Sequence, residues 1–171
     1  QVKGTLKTLI VAGSAPPQEM MMWFWREVGV EFRHLWGMTE MNPVGTVSHF
    51  VQTQRDLRKT PEQRAENLRT QGLPYFGVDW ALVDPDDMGR AIPEDGTQSG
   101  ELLVKGPTVT ASYWKGVGAD KFHNGFLKTG DVASISPTQY MQIRDRSKDL
   151  VKSGGEFISS VDLENTIVGM A

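Results

Sequence analysis

The apolar and polar positions of this chain change rhythm partway along it. From Leu6 to Ala12, LKTLIVA clusters and alternates apolar side chains as a buried strand does. Gly13-Ser14-Ala15 then makes a tight small-residue turn, and Pro16-Pro17 suit the start of a helix running through Met20 to Val28. Glu31 to Trp36 predicts a second short strand. Strand, turn, helix and strand together are α/β grammar. Further on, Thr60-Pro61-Glu62-Gln63 predicts a helix start, with Thr60 as cap, Pro61 at the first helical position and Gln63 completing a capping box. Gly72 is a plausible stop for that polar, solvated helix.

From Gly77 onward the pattern shortens to VDWALVD, GELLVKG, DVASIS and YMQIRD, divided by Pro, Gly and Asp clusters. DVASIS and YMQIRD, joined by Pro137-Thr138-Gln139, predict a hairpin. The expected fold class is therefore α/β followed by a β-rich section, with no internal repeat. The Met-Met-Met-Trp-Phe-Trp run, Met20 to Trp25, reads as a packed helix face, with part of an acyl pocket as the alternative.

Composition narrows the function classes without choosing among them. The 171 residues are 39% hydrophobic and 23% charged, with a formal net charge of −3, as in an ordinary globular protein. Mild acidity gives no electrostatic reason to expect nucleic acid. No apolar run approaches the ~18 residues of a membrane helix. The absence of cysteine excludes disulfides, thiolate metal sites and a cysteine nucleophile, and is compatible with a reducing cytosol. Both ends read as cut: the chain opens at Gln1 and closes directly after the helical pattern SSVDLENTIV.

Three short stretches offer chemistry. WGMTEM, Trp36 to Met41, lies at the carboxyl end of a predicted strand, where ligands bind in open α/β sheets. Its Thr39 hydroxyl suits a phosphate oxygen and its Glu40 carboxylate a magnesium ion; a turn with incidental polar residues is the alternative. KTGD, Lys128 to Asp131, sets a carboxylate just before a strand, fit either for two ribose hydroxyls or for a turn or helix cap. Gly154-Gly155 permits close backbone approach to a ligand, or a plain turn. Neither Gly-rich stretch is a GxxxxGK[ST] phosphate loop, and GSA and KSGG are not the G-x-S-x-G nucleophile elbow. His34, His49 and His123 lack metal-ligand spacing and read as structural or exposed.

The order GSA, WGMTE, GELLVKGP, KTGD and DRSKDLVKSGGE resembles the adenylate-forming enzymes, which include acyl-CoA synthetases, luciferases and peptide-synthetase adenylation domains. WGMTEMNPVGT, QGLPYFGVD and DRSKDLVKSGGEFISSVDLEN look most like fatty-acyl-CoA synthetases of the medium- to long-chain bacterial type. The resemblance implies a fatty acid or related carboxylate as substrate, ATP with Mg2+, AMP as product and coenzyme A as acyl acceptor. It also implies that residues 1–147 are the C-terminal portion of a large AMP-binding N-terminal domain. Residues 148–171 would be the hinge and the beginning of a small α+β C-terminal domain that rotates between the two half-reactions.

Position by position, the resemblance implies that Gly13, Ser14 and Ala15 border the adenine and acyl pocket. Trp36 stands where relatives carry a Tyr that packs on adenine, and Gly37 and Met38 approach the nucleotide through backbone. Thr39 would contact the α-phosphate, Glu40 would bind Mg2+, and Asp131 would take the ribose hydroxyls. Arg146 would reach the ribose and phosphate side. Lys148 falls at the hinge, and Ser153, Gly154 and Gly155 on the loop facing thioester formation. The family's upstream phosphate-gripping loop and downstream lysine have no counterpart in this stretch, so the chain alone is expected not to complete adenylation. A cytoplasmic location, free or membrane-associated, is implied by the same resemblance. A non-catalytic nucleotide-binding or interaction module of the same fold is the alternative from another class, and an amino-acid adenylation domain the alternative among enzymes.

Overall fold

The protein is described from a computed structural model, which describes residues 4–14, 16–49, 53–60, 63–64, 66–149, 151–153, 156–158, 160 and 163. It divides into two compact units, Gln1–Phe76 with Gln139–Met141, and Gly77–Thr138 with Gln142–Ala171.

The first unit is built on a four-stranded sheet of β1 (Thr8–Ala12), β2 (Glu31–Trp36), β3 (Thr46–Ser48) and β4 (Leu73–Pro74), in that order. β1 and β2 are parallel, and β3 and β4 add antiparallel. The link between the parallel strands is α1 (Gln18–Trp23), which starts after Pro17 and loosens into a π turn, Phe24–Val28. Parallel strands require such a crossover, and the expected helix is therefore present. Its Met21 and Met22 pack with Phe32 of β2 and with Leu68, while Leu9, Val11, Phe24 and Trp25 close around them. Met21, Met22, Phe24 and Trp25 of the Met-Trp run thus face the core, while Met20 and Trp23 are exposed.

β1 differs from its expectation as a fully buried strand. It begins at Thr8 rather than Leu6, and Ile10 is 58% exposed. The period of two explains this: Leu9 and Val11 turn to the face that packs on α1, so Ile10 turns to the other. The capping box forms as expected, with Thr60 N–H donating to Gln63 Oε1 at 3.0 Å and Gln63 N–H to Thr60 Oγ1 at 3.3 Å. Pro61 and Glu62 lie outside the described residues. Beyond the box, Gln63 and Arg64 are helical and Arg64 N–H donates to Thr60 O at 2.9 Å, but the expected solvated helix does not run on to Gly72. A 3-10 turn, Glu66–Arg69, buries Asn67 and Leu68, and Gly72 forms an isolated bridge to Met141. Leu68 is drawn into the methionine core, and Ser48 Oγ donates to Asn67 O at 2.6 Å.

The second unit carries β5 (Asp79–Val83), β6 (Gly100–Lys105), β7 (Phe122–His123), β8 (Phe126–Ile135) and, from Gln142 onward, β9 (Met141–Arg146). They form an antiparallel sheet in the order β5-β6-β8-β7, with β9 pairing β8. Its core is Leu102, Val104, Leu127, Val132, Ala133 and Ile135, all buried. Burying each of the larger aliphatic side chains contributes about 1.5–3 kcal/mol. The expected β-rich section and the β8–β9 hairpin are both present. β10 (Val151–Ser153) and β11 (Glu156–Ile158) form a separate two-stranded antiparallel ribbon. No helix among the described residues is long and apolar enough to cross a membrane.

Candidate active site

Trp36 is the last residue of β2, and the chain leaves it through Gly37 into a 3-10 turn, Thr39–Met41. The turn is held shut by close backbone approach. Gly45 N–H donates to Trp36 O at 2.8 Å, and a Cβ on Gly37 would collide with the Pro43 carbonyl and lie 2.8 Å from Gly45 N. A Cβ on Gly45 would strike the Trp36 ring at 2.5 Å, so the indole lies against bare backbone. Met41 is buried and anchors the turn, while Thr39 is exposed and Glu40 half-buried. The stretch is indeed a turn, but one that presents a hydroxyl and a carboxylate side by side. Among the described residues no group of three or more His, Cys, Asp or Glu could hold a metal unaided. One carboxylate beside a hydroxyl fits a magnesium ion that brings phosphate oxygens and waters as its remaining ligands.

Ser14 comes shortly after β1, and His34 on β2 lies opposite Val11 in the parallel register. His34 is buried, and burial pushes its imidazole pKa below the ordinary histidine value, opposed by a hydrogen bond to the Ser14 backbone. A bond that raises the pKa is one the ring N–H donates, so the His34 ring lies within reach of the Ser14 carbonyl. The sequence marked His34 only as structural or exposed. Its alternation with Phe32 and Trp36 on one face of β2 was the signal that it belongs beneath this turn. Ala15 lies outside the described residues.

In the second unit, KTGD does not precede a strand but lies inside β8. Glu101 pairs with Val132 while Leu103 pairs with Lys128, so β8 carries extra residues there and bulges. Gly130 supplies the left-handed conformation of that bulge, with φ of +74°. Thr129 Oγ1 donates to Leu102 O at 2.9 Å and accepts the Asp131 N–H at 3.1 Å, which braces the bulge from beneath. Asp131, 4% exposed, meets Arg146 at the end of β9, with Nε 2.9 Å from Oδ1. Ser147 N–H donates to Gly130 O at 2.9 Å, tying the chain after Arg146 to the same bulge. Two residues separated in sequence and expected at one nucleotide site therefore touch. Thr129 is a supporting residue that sequence reasoning missed, although its place one residue before Gly130 is the spacing such a brace needs.

The remaining expected residues are placed less fully. Lys148 is exposed in the turn after Arg146, where Asp149 N–H donates to Arg146 O at 3.0 Å. Ser153 ends β10, and Gly154 and Gly155 lie outside the described residues.

Residues 1–114 match the model of the family described as AMP-binding enzyme. The chain is 43% identical over 165 residues to a 3-methylmercaptopropionyl-CoA ligase of Ruegeria lacuscaerulensis, covering 96% of this chain and 30% of that protein. It is 41% identical over 168 residues to a long-chain-fatty-acid–CoA ligase of Thermus thermophilus, again covering 96% and 30%. Among solved structures, an o-succinylbenzoate coenzyme A synthetase from Bacillus subtilis in complex with ATP and magnesium superposes with a TM-score of 0.77 at 26% identity, over 98% of this chain and 32% of that one. The chain thus spans about 30% of the length of the relatives it matches. Its α/β unit and β-rich unit carry the fold of adenylate-forming enzymes, and the chain belongs to the AMP-binding enzyme family.

Proposed function

We propose that the protein carrying this chain is an acid–thiol ligase that converts a carboxylic acid into its coenzyme A thioester through an acyl-adenylate. The reading rests above all on the braced Asp131–Arg146 pair, 2.9 Å apart, within the AMP-binding family. Residues 1–147 supply the nucleotide portion, and 148–171 the hinge and the start of a small mobile domain.

In the first half-reaction an oxygen of the substrate carboxylate attacks the α-phosphorus of ATP. The bond from that phosphorus to the bridging oxygen breaks, and pyrophosphate leaves with the electron pair. Charge spreads over the phosphate oxygens, so catalysis here is positioning and charge stabilisation. Asp131 accepts hydrogen bonds from both ribose hydroxyls, and Arg146 offers its planar donors to ribose and phosphate oxygens. Thr39 donates to the α-phosphate. Magnesium, when bound, neutralises phosphate charge, and Glu40 is the carboxylate that holds it. Trp36 packs on adenine, with Gly37 and Met38 close by and the Gly13-Ser14-Ala15 turn bordering the adenine and acyl groups. In the second half-reaction the thiol of coenzyme A gives up its proton and attacks the acyl carbon, releasing AMP. Ser153, Gly154 and Gly155 face that step, brought in by rotation at Lys148. A cytoplasmic protein, free or at a membrane surface, goes with this chemistry.

The acid is proposed to be aliphatic. A medium- or long-chain fatty acid is favoured by the sequence wording and by the similarity to the Thermus thermophilus ligase; a short methylthio acid is favoured by the similarity to the Ruegeria lacuscaerulensis ligase. The intact protein, given ATP, Mg2+ and coenzyme A, is expected to release pyrophosphate in the presence of one of these acids. A panel from 3-methylmercaptopropionate to long-chain fatty acids with no acid-dependent release overturns the reading.

A further inference from the structure

The strand that carries Arg146 holds a second buried carboxylate one residue earlier. Asp145 is 3% exposed. Its Oδ1 accepts the Arg146 N–H at 2.8 Å and the Ser160 Oγ–H at 3.1 Å, and its Oδ2 accepts the Ser160 N–H at 2.8 Å. Backbone amide and hydroxyl of one residue, fifteen positions along the chain, thus grip both oxygens of one carboxylate. Hydrogen bonds to an ionised acceptor are stronger than neutral ones, and a carboxylate this buried needs them.

The segment enclosed by this clamp gives it a consequence. Between Asp145 and Ser160 lie Lys148 and the β10–β11 ribbon. Upstream, that segment is fixed by Arg146 on Asp131 and by Ser147 on Gly130 O. Downstream, it is fixed by Ser160 on Asp145, so both ends of the ribbon are referred to β9. We propose that Asp145 is a positioning residue for thioester formation: by seating Ser160 it sets the placement of the ribbon that ends β10 at Ser153. The proposal rests on the ligase reading for the task of Ser153. Asp145 also holds the Arg146 amide, so the ribbon's share is read by releasing Ser160 alone, which bears on the second half-reaction and spares the first.

The test uses the intact protein and three variants, Ser160→Ala, Ser160→Thr and Asp145→Asn. Pyrophosphate formation reads the first half-reaction, and thioester formation from supplied acyl-adenylate reads the second. Ser160→Ala removes one charge-assisted bond and is expected to slow thioester formation roughly tenfold while leaving pyrophosphate formation unchanged. Ser160→Thr keeps amide and hydroxyl and is expected to restore the rate. A parallel fall in both half-reactions, or no change in either, overturns the proposal. Hydrogen exchange supplies a readout free of activity: the Ser160 amide is expected to be protected in the parent and to exchange faster in Asp145→Asn. An unprotected Ser160 amide in the parent overturns the clamp outright. A protein that forms no acyl-adenylate with any acid defeats the ligase reading instead, and the exchange result then decides the clamp.

Discussion

Asp131 and Arg146 are unequal partners. The guanidinium is 62% exposed and keeps most of its hydration, whereas the carboxylate is nearly buried and depends on what the bulge brings to it. An exposed arginine gains little from its ion pair, on the order of 1 kcal/mol or less, so the pair is a poor explanation for the bulge as a stabilising feature. A buried acid paired to an exposed base is better suited to exchanging that base for ligand hydroxyls. Asp131→Asn keeps the shape and one acceptor oxygen but loses the charge. It is expected to raise the ATP KM by roughly tenfold, the cost of weakening charge-assisted bonds to the ribose. Initial rates against ATP concentration check this, and an unchanged KM removes Asp131 from the nucleotide site.

At the scale of elements, the segment between β3 and β4 is organised by one acid. Asp56, fully buried, accepts the Thr53 N–H at 2.8 Å and the Tyr140 hydroxyl at 2.9 Å on Oδ2, and pairs with Lys59 Nζ at 2.8 Å on Oδ1. Burial alone would push its pKa up; the Lys59 contact, the Asn67 side chain, the Thr53 amide and the Tyr140 hydroxyl together outweigh it and hold the carboxyl well below the usual carboxylate range. Burial first, then the bond to Asp56, raises the Tyr140 pKa, so its hydroxyl stays a donor. With the folded pKa depressed, Asp56 stabilises the fold above about pH 4, the unfolded value, and that stability is lost as pH falls through the folded value. Tyr140→Phe is therefore expected to cost about 1–3 kcal/mol at pH 7, with the deficit shrinking only as the pH falls toward the depressed folded pKa of Asp56. Denaturant melts across pH check it, and a deficit independent of pH would assign the loss to packing.

The same elements mark what was legible beforehand. The Thr60–Gln63 box could be read because both partners lie within one turn. β2 could be read because its alternation is local. The β8 bulge could not, since its extra residues exist only relative to Glu101 and Leu103 on a partner strand. Nor could the Asp56–Tyr140 bond, whose partners stand 84 positions apart, or the burial of Leu68, which the polar residues around it disguise.

At the scale of the whole molecule, charge gives no help with ligands. On the proposed reading, the net −3 of these residues offers no long-range attraction to ATP or coenzyme A, both polyanions, and recognition would rest on local groups such as Arg146, the Thr39 turn and the Asp131 bulge. An acyl-adenylate has already shed pyrophosphate and much of that negative charge, while keeping the adenine, the ribose and the acyl chain. If these groups are the ones recognised, a non-hydrolysable acyl-adenylate analogue should bind the native state and not the unfolded chain. At one hundred times its Kd it is expected to stabilise the intact protein by about 2.7 kcal/mol. Thermal melts with and without the analogue measure this, and the shift should shrink in Asp131→Asn, whose amide is the poorer acceptor for the ribose. Full protection in the variant would move recognition away from the ribose and onto the acyl chain and adenine. No protection of the parent at any concentration would mean that the fold has kept the turn, the bulge and the ion pair without the nucleotide they suit.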